Sequence, residues 1–175
     1  TKFGIPNLKE GYCLDDNARA LIMALMAYKE TKSHKALELC PIYLSFIYYM
    51  QNDDGTFHNF LNFDRTFVEE KGSEDSFGRA VWALGYMLDN APNDSYSQIG
   101  KYMLDKSVPV FDNLRSVRSI ANVILGISYY LKNNMGDDVM IERLRKLTGF
   151  LVEEYHQNSR ADWKWYEILF AYDNG

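Results

Sequence analysis

Cysteine, proline and histidine are scarce in this chain, and so is any excess of positive charge. Only two cysteines occur, Cys13 and Cys40. They are too few for a disulfide framework and lack metal-ligand spacing. Three histidines, His34, His58 and His156, lie too far apart in sequence to suggest a metal set, so no metal is expected. Lys and Arg number 19 against 24 Asp and Glu, a formal charge of −5. That balance argues against nucleic acid or an anionic membrane as partner, since both recruit basic patches. No apolar run reaches the roughly 20 residues that span a bilayer. Neither G-x-S-x-G, nor a Walker loop, nor G-x-G-x-x-G occurs, so serine-nucleophile and nucleotide chemistry have no support. No cofactor is expected. With no signal-type segment at its start, the chain reads as cytoplasmic.

What is present is apolar and aromatic. Hydrophobic residues make up 47% and aromatic residues 15% of 175 residues, enough for one well-packed domain over 1–175. The patterning is helical, with almost no strand signal. Helices are expected over 15–29, 34–51, 74–89, 94–113, 116–132 and 138–156. Pro41 suits a first turn better than the body of the second helix, and Pro109 predicts a break or kink in the fourth. The first, third and fifth helices are densely apolar, and "ALIMALMAY" has the composition of a helix surrounded by protein. The second, fourth and sixth are more charged. This alternation, recurring at about 40 to 60 residues, suits an array of helical hairpins with the apolar helices inside. The fold class is therefore all-α: helical hairpins forming part of an α/α toroid.

In such an array the loops entering the inner helices converge on one face. Those loops carry Tyr12, Asp15 and Asp16, then Phe57 to Asp75, then Trp163 to Asp173. One acid at a helix start serves as an N-cap or complements the helix dipole; a second adjacent one, as in Asp15–Asp16, asks for a further role. Glu74 and Asp75 repeat the arrangement behind Ser73, an adequate N-cap. Arg19 and Arg79 each follow an Asp by four residues, the spacing of a local ion pair that also ties a helix start to its neighbour. Asp64 and Arg65 offer either a ligand contact or an internal pair that orders their loop. In "QNDDGTF" Gly55 is expected at positive φ, with Asp54 capping the turn.

"GYCLDDNARAL", "FHNFLNFDR", "GSEDSFGRAVWALG" and "WYEILFAYDNG" together resemble the six-hairpin, or (α/α)6-toroid, superfamily of carbohydrate-active proteins. More narrowly they resemble an all-helical module that accompanies bacterial glycosyltransferases. The resemblance spans 11–175 and implies about half a toroid, truncated at the C-terminus. It implies an oligo- or polysaccharide as ligand, with a glycosyltransferase domain and a second copy of the chain as further partners. If the domain cleaves glycans, paired carboxylates do it: Glu74 as acid and Asp16 as base. Asp15, Asp64, Arg65, Asp75, Trp163, Trp165 and Glu167 would bind the sugar, the tryptophans as stacking platforms. The alternative is a non-catalytic glycan-binding or accessory module. Carboxylates facing each other across an open groove favour cleavage, and carboxylates tied into ion pairs with Arg19 and Arg79 favour the module. Toroid epimerases use histidines as acid and base, and only His58 is suitably placed for that.

Overall fold

The computed structural model describes residues 11–159, and beyond them the backbone pairing of 166–167 with 172–173. Six α-helices dominate: α1 (Leu14–Thr31), α2 (His34–Tyr49), α3 (Glu74–Asp89), α4 (Asp94–Ser107), α5 (Val117–Leu131) and α6 (Asp138–Asn158). The strands are two-residue pieces. β1 (Tyr12–Cys13) pairs antiparallel with β2 (Phe60–Leu61), and β3 (Tyr166–Glu167) with β4 (Tyr172–Asp173). The all-α class and the hairpin array therefore hold.

Local chemistry sets the helix starts. Ser73 accepts a hydrogen bond from Ser76 N and caps α3, Asn93 caps α4, Ser116 caps α5 and Asp137 caps α6, each satisfying a first-turn N–H that would otherwise be orphaned. At α1 the first-turn alternative holds: Cys13 occupies the N-cap position without a side-chain bond, and Asp15 and Asp16 lie in the first turn, where they complement the helix dipole. Pro41 departs from expectation. It sits inside α2 on an exposed side, where its missing N–H costs one ladder bond and its ring meets solvent. The fourth helix stops at Ser107, and Val108–Asn113, with Pro109 in its first turn, continue as a 3-10 helix.

Helices α1, α3 and α5 form a row, each backed by its hairpin partner α2, α4 or α6. The row is parallel. Asp15 of α1 meets Arg79 of α3 at one end, and at the other Glu30 lies near enough to Tyr86 to help raise its phenol pKa, burial being the larger cause. Between α3 and α5 the contact runs Gly78 to Ser119, then Gly85 to Gly126. Small residues at seven-residue spacing let two backbones touch along a straight seam. The core lies between this row and the outer helices, with Leu14, Leu21, Leu25, Ile47, Leu84, Met87, Met103, Phe111, Ile120 and Ile127 buried.

The α1 body is not surrounded as its composition predicts. Met23 is 66% exposed and Met26 51% exposed, because the side of the row facing away from the outer helices is open among the described residues. No described helix is long and apolar enough to cross a membrane.

Candidate functional site

The loop from Gln51 to Ser73 arches over the starts of α1 and α3, and two copies of one turn build it. In the first, Asn52 N donates to Thr56 O, Gly55 N to Asn52 O, and Thr56 N and Oγ1 both donate to Asp54 Oδ1 at 2.9 and 2.6 Å. In the second, Asn62 N donates to Thr66 O, Arg65 N to Asn62 O, and Thr66 N and Oγ1 donate to Asp64 Oδ1 at 3.0 and 2.6 Å. The shared pattern is N-x-D-[G/R]-T-F, ten residues apart, and each turn closes on a β-bridge, Gln51 with Phe57 and Leu61 with Phe67. Gly55 has φ 86° and Arg65 φ 67°. The Thr hydrogen bonds are also what holds the Asp54 and Asp64 carboxyls below the usual range. Asp64 thus orders its own turn, and Arg65 is displayed at the turn's tip.

Glu69 locks the second turn to the helices. Its Oε1 accepts from Asn59 N and Phe60 N, while Asn59 Oδ1 accepts from Ser76 Oγ in the first turn of α3. His58 Nδ1 lies 2.6 Å from Glu69 O, and its ring stacks on Phe67 at 3.7 Å. Nothing in the sequence pattern singles out Asn59 or Glu69; only the folded loop brings them together.

Beneath this loop the first turns of α1, α3 and α5 form a charged layer. Arg19 Nη2 reaches Asp15 at 2.8 Å and Asp16 at 2.7 Å. Arg79 Nε lies 2.7 Å from Asp15 Oδ1 and 3.6 Å from Asp75 Oδ2, and Arg118 Nη2 lies 4.0 Å from Asp75 Oδ2. The Arg79–Asp15 contact has ion-pair distance without hydrogen-bond alignment: Asp15 Oδ1, Asp75 Oδ1 and Arg79 Nε are buried atoms with no hydrogen-bond partner. Acid on one helix thus answers arginine on the next around the row.

Glu74 faces the other way. Its Oε2 accepts from Arg115 N at 2.8 Å and Ser116 N at 2.7 Å, and its carbonyl accepts from Ser119 Oγ at 2.6 Å. The side chain therefore serves as a cap for α5 supplied from α3, and it borders a small pocket of about 40 Å³ with Phe57, Gly72 and Leu114. Among the described residues no hydrogen bond or ion pair joins Asp16 to Glu74. A roomier apolar groove of about 340 Å³ runs between α2 and α4, lined by Pro41, Leu44, Tyr48, Tyr96 and Ile99, and shares no residue with this layer.

The loop aromatics divide. Phe57 is core, 2% exposed and edge-on to Phe77. Tyr12, Phe60 and Phe63 are exposed, with Tyr12 edge-on to Phe63 at 5.4 Å. Trp163 and Trp165 lie outside the described residues. Of Glu167 only the backbone is described, in β3. No group of three or more His, Cys, Asp or Glu among the described residues is arranged to hold a metal ion.

No family model matches this chain, and no curated protein matches its sequence. Its fold, however, has solved counterparts. A sugar epimerase from a ruminal bacterium superposes with TM-score 0.71 at 13% identity, covering 90% of this chain and 47% of that one. The cellobiose 2-epimerase from Spirochaeta thermophila DSM 6192 superposes with TM-score 0.70, also at 13% identity, covering 88% of this chain and 46% of that one. The chain has the fold of a partial α/α toroid and spans about half the length of these structures.

Proposed function

We propose that this chain is a carbohydrate-binding part of an α/α toroid, and that the mouth built on the first turns of α1, α3 and α5 holds the sugar. The observation that carries the reading is the charged layer itself. Asp15, Asp75 and Arg79 leave 23%, 24% and 23% of their side chains exposed there, so the mouth offers carboxylate and guanidinium side by side. A sugar offers hydroxyls that both donate and accept, so it suits carboxylate and guanidinium together. Exposed Tyr12, Phe60 and Phe63 on the neighbouring loops supply flat rings for the apolar faces of a pyranose. The solved structures of like fold act on sugars by their own descriptions, which supports the same substrate class here.

Binding is favoured over cleavage. Glycoside hydrolysis needs two carboxylates across the scissile bond, one of them free to give a proton. Here Asp15 and Asp16 are tied to Arg19, and Glu74 is tied to two backbone amides. The accessory role beside a glycosyltransferase, with an acceptor glycan held at this mouth, fits that arrangement. Asp16 and Glu74 then support the site's architecture, and Asp75, Arg79 and Arg65 contact the ligand.

Calorimetry with a panel of oligosaccharides, combined with product analysis, tests the reading. The expected result is binding without new reducing ends. Asp75→Asn should weaken binding about tenfold, the loss of one or two hydrogen bonds to a charged group. Cleavage that disappears in both Asp16→Asn and Glu74→Gln would replace this reading with the hydrolase, and affinity indifferent to Asp75 and Arg79 would remove the mouth as the site.

A further inference from the structure

The two turns of the loop over the mouth share their hydrogen bonds and differ in what they present outward. Aligned on Asn52 and Asn62, N-D-D-G-T-F and N-F-D-R-T-F differ at two positions, Asp53 against Phe63 and Gly55 against Arg65. In the first turn both positions dock on the last turn of α4. Asp53 Oδ1 lies 3.3 Å from Lys106 Nζ, and a Cβ on Gly55 would stand 2.0 Å from the Lys106 carbonyl oxygen. Gln51, which leads into the turn, donates to Met103 O and Ser107 Oγ of the same helix. The second and fourth residues of this turn are therefore its contact residues.

In the second turn those two positions carry a ring and a guanidinium, and both are exposed. Phe63 is 54% exposed and meets Tyr12 edge-on. The Arg65 side chain is exposed and makes no ion pair or hydrogen bond among the described residues. The acids of its own loop are engaged elsewhere: Asp64 Oδ1 accepts from Thr66 N and Oγ1, and Glu69 Oε1 from Asn59 N and Phe60 N. Arg65 also stands at φ 67°, where the first turn has glycine. Strain of that kind persists where a particular side chain is needed at the point of strain.

The turn is fastened to the mouth. Tyr12–Cys13 pairs with Phe60–Leu61, and Leu14 N donates to Asn59 O at 2.9 Å, directly ahead of Asp15 and Asp16. In the layer beneath, Arg19 and Arg79 are each answered by acids. Arg65 has no such acid.

We infer, on the reading of the mouth as a glycan site, that the second turn docks on the ligand as the first docks on α4, and that the glycan is anionic. A carboxylate or a sulfate ester on the sugar presents paired oxygens that match the guanidinium fork of Arg65. Phe63 covers an apolar face of the ring that bears it. A single unanswered cation in a chain of net charge −5 suits one anionic group at a time, as on a sugar, and not a densely charged polyanion.

Calorimetry on the full chain with matched pairs tests this. The probes are short galacturonate, mannuronate and hyaluronan oligosaccharides, each beside its neutral methyl ester, and monosulfated lactose beside lactose. An anionic member should bind about tenfold or more tighter than its neutral twin, and the pair that shows the preference separates carboxylate from sulfate. Arg65→Gly keeps the turn and relieves its strained φ, so the variant stays folded; it should bring the twins to equal affinity. Phe63→Ala should weaken both twins alike, because the ring carries no charge. Twins that bind the parent chain equally overturn the inference, and so does a preference that survives Arg65→Gly. Failure of every anionic probe overturns it too. In each of those cases, neutral binding that still depends on Asp75 and Arg79 leaves the mouth as the glycan site, whereas silence across the whole panel removes both.

Discussion

Gly85 of α3 and Gly126 of α5 meet backbone to backbone: a Cβ on Gly85 would lie 2.0 Å from the Gly126 carbonyl oxygen. No rotamer change relieves that clash, because the obstacle is main chain. Gly85→Ala must therefore push α3 away from α5 along the seam that sets the mouth's width. Overpacking of this sort typically costs about 1–3 kcal/mol, and here the rigid partner argues for the upper end. Gly149 in α6 is the control, with nothing within 4 Å of its would-be Cβ. Gly149→Ala should stabilise the chain by about 1 kcal/mol through helix propensity alone. Urea denaturation of both variants should give shifts of opposite sign.

The repeated turn yields a second contrast. Gly55 at φ 86° and Arg65 at φ 67° occupy equivalent positions, yet only one is glycine. An L-residue pays roughly 1 kcal/mol to stand in the left-handed region, so Arg65→Gly should raise stability by about that amount. Gly55→Ala should lower it by more, since its Cβ would sit 2.0 Å from the Lys106 carbonyl oxygen as well as being strained. If Arg65 also touches the glycan, Arg65→Gly gives a more stable protein that binds less tightly. Thermal melts and calorimetry on the same sample separate the two effects.

Acid should unfold this protein through a small set of aspartates. Asp54 is held below its ordinary range mainly by the Thr56 hydroxyl, Asp112 mainly by Lys146 with Arg143 beside it, and Asp137 mainly by the Met140 amide. A carboxyl whose folded pKa is depressed adds stability above its unfolded pKa, about 3.9 for Asp, and loses it as pH falls through the folded value. Stability should be flat near neutrality, then fall as pH drops below about 4. Asp112→Asn should flatten that acid limb while lowering stability at neutral pH, because Arg143 and Lys146 both pair with this carboxylate at 2.5 Å and fasten α6 to the 3-10 helix. Melting temperatures across an acid series read both effects.

The helices were legible in the sequence because their signals are local. Ser73 ahead of a strongly apolar run places α3 at Glu74–Asp89, and Gly55 with Asp54 places the first turn. The seam of Gly78, Gly85 and Gly126 was not legible, since a glycine reveals its neighbour only once another helix lies against it. The second turn hid behind two substitutions, Phe63 for Asp53 and Arg65 for Gly55, which mask a ten-residue repeat whose hydrogen bonds come from Asn, Asp and Thr. Asp15, Asp16, Glu74 and Asp75 stood out as acids at helix starts, and the local pairs with Arg19 and Arg79 follow from their spacing, but the contacts of Asp15 with Arg79, Asp75 with Arg118 and Glu74 with the α5 amides cross between elements. That Glu74 reaches the α5 amides while Asp15 reaches Arg79 is a property of helix spacing, which no window of sequence contains.

Glu74 offers the sharpest test of whether the acids at the mouth are machinery or framework. Its Oε2 takes the Arg115 and Ser116 amides, so one carboxylate satisfies two donors at the start of α5 and complements that helix's positive end. Glu74→Ala should cost about 2 kcal/mol, the loss of a charge-assisted cap. Glu74→Gln keeps an acceptor oxygen and the shape while losing the charge, so it should recover about half of that. A hydrolytic acid behaves differently: the glutamine variant would fold as well as the parent and lose all turnover, since the amide has no proton to give. Denaturation midpoints for the three proteins, read beside any glycan-cleaving activity of each, decide between the two roles. The ranking Glu, then Gln, then Ala in stability is the outcome expected here.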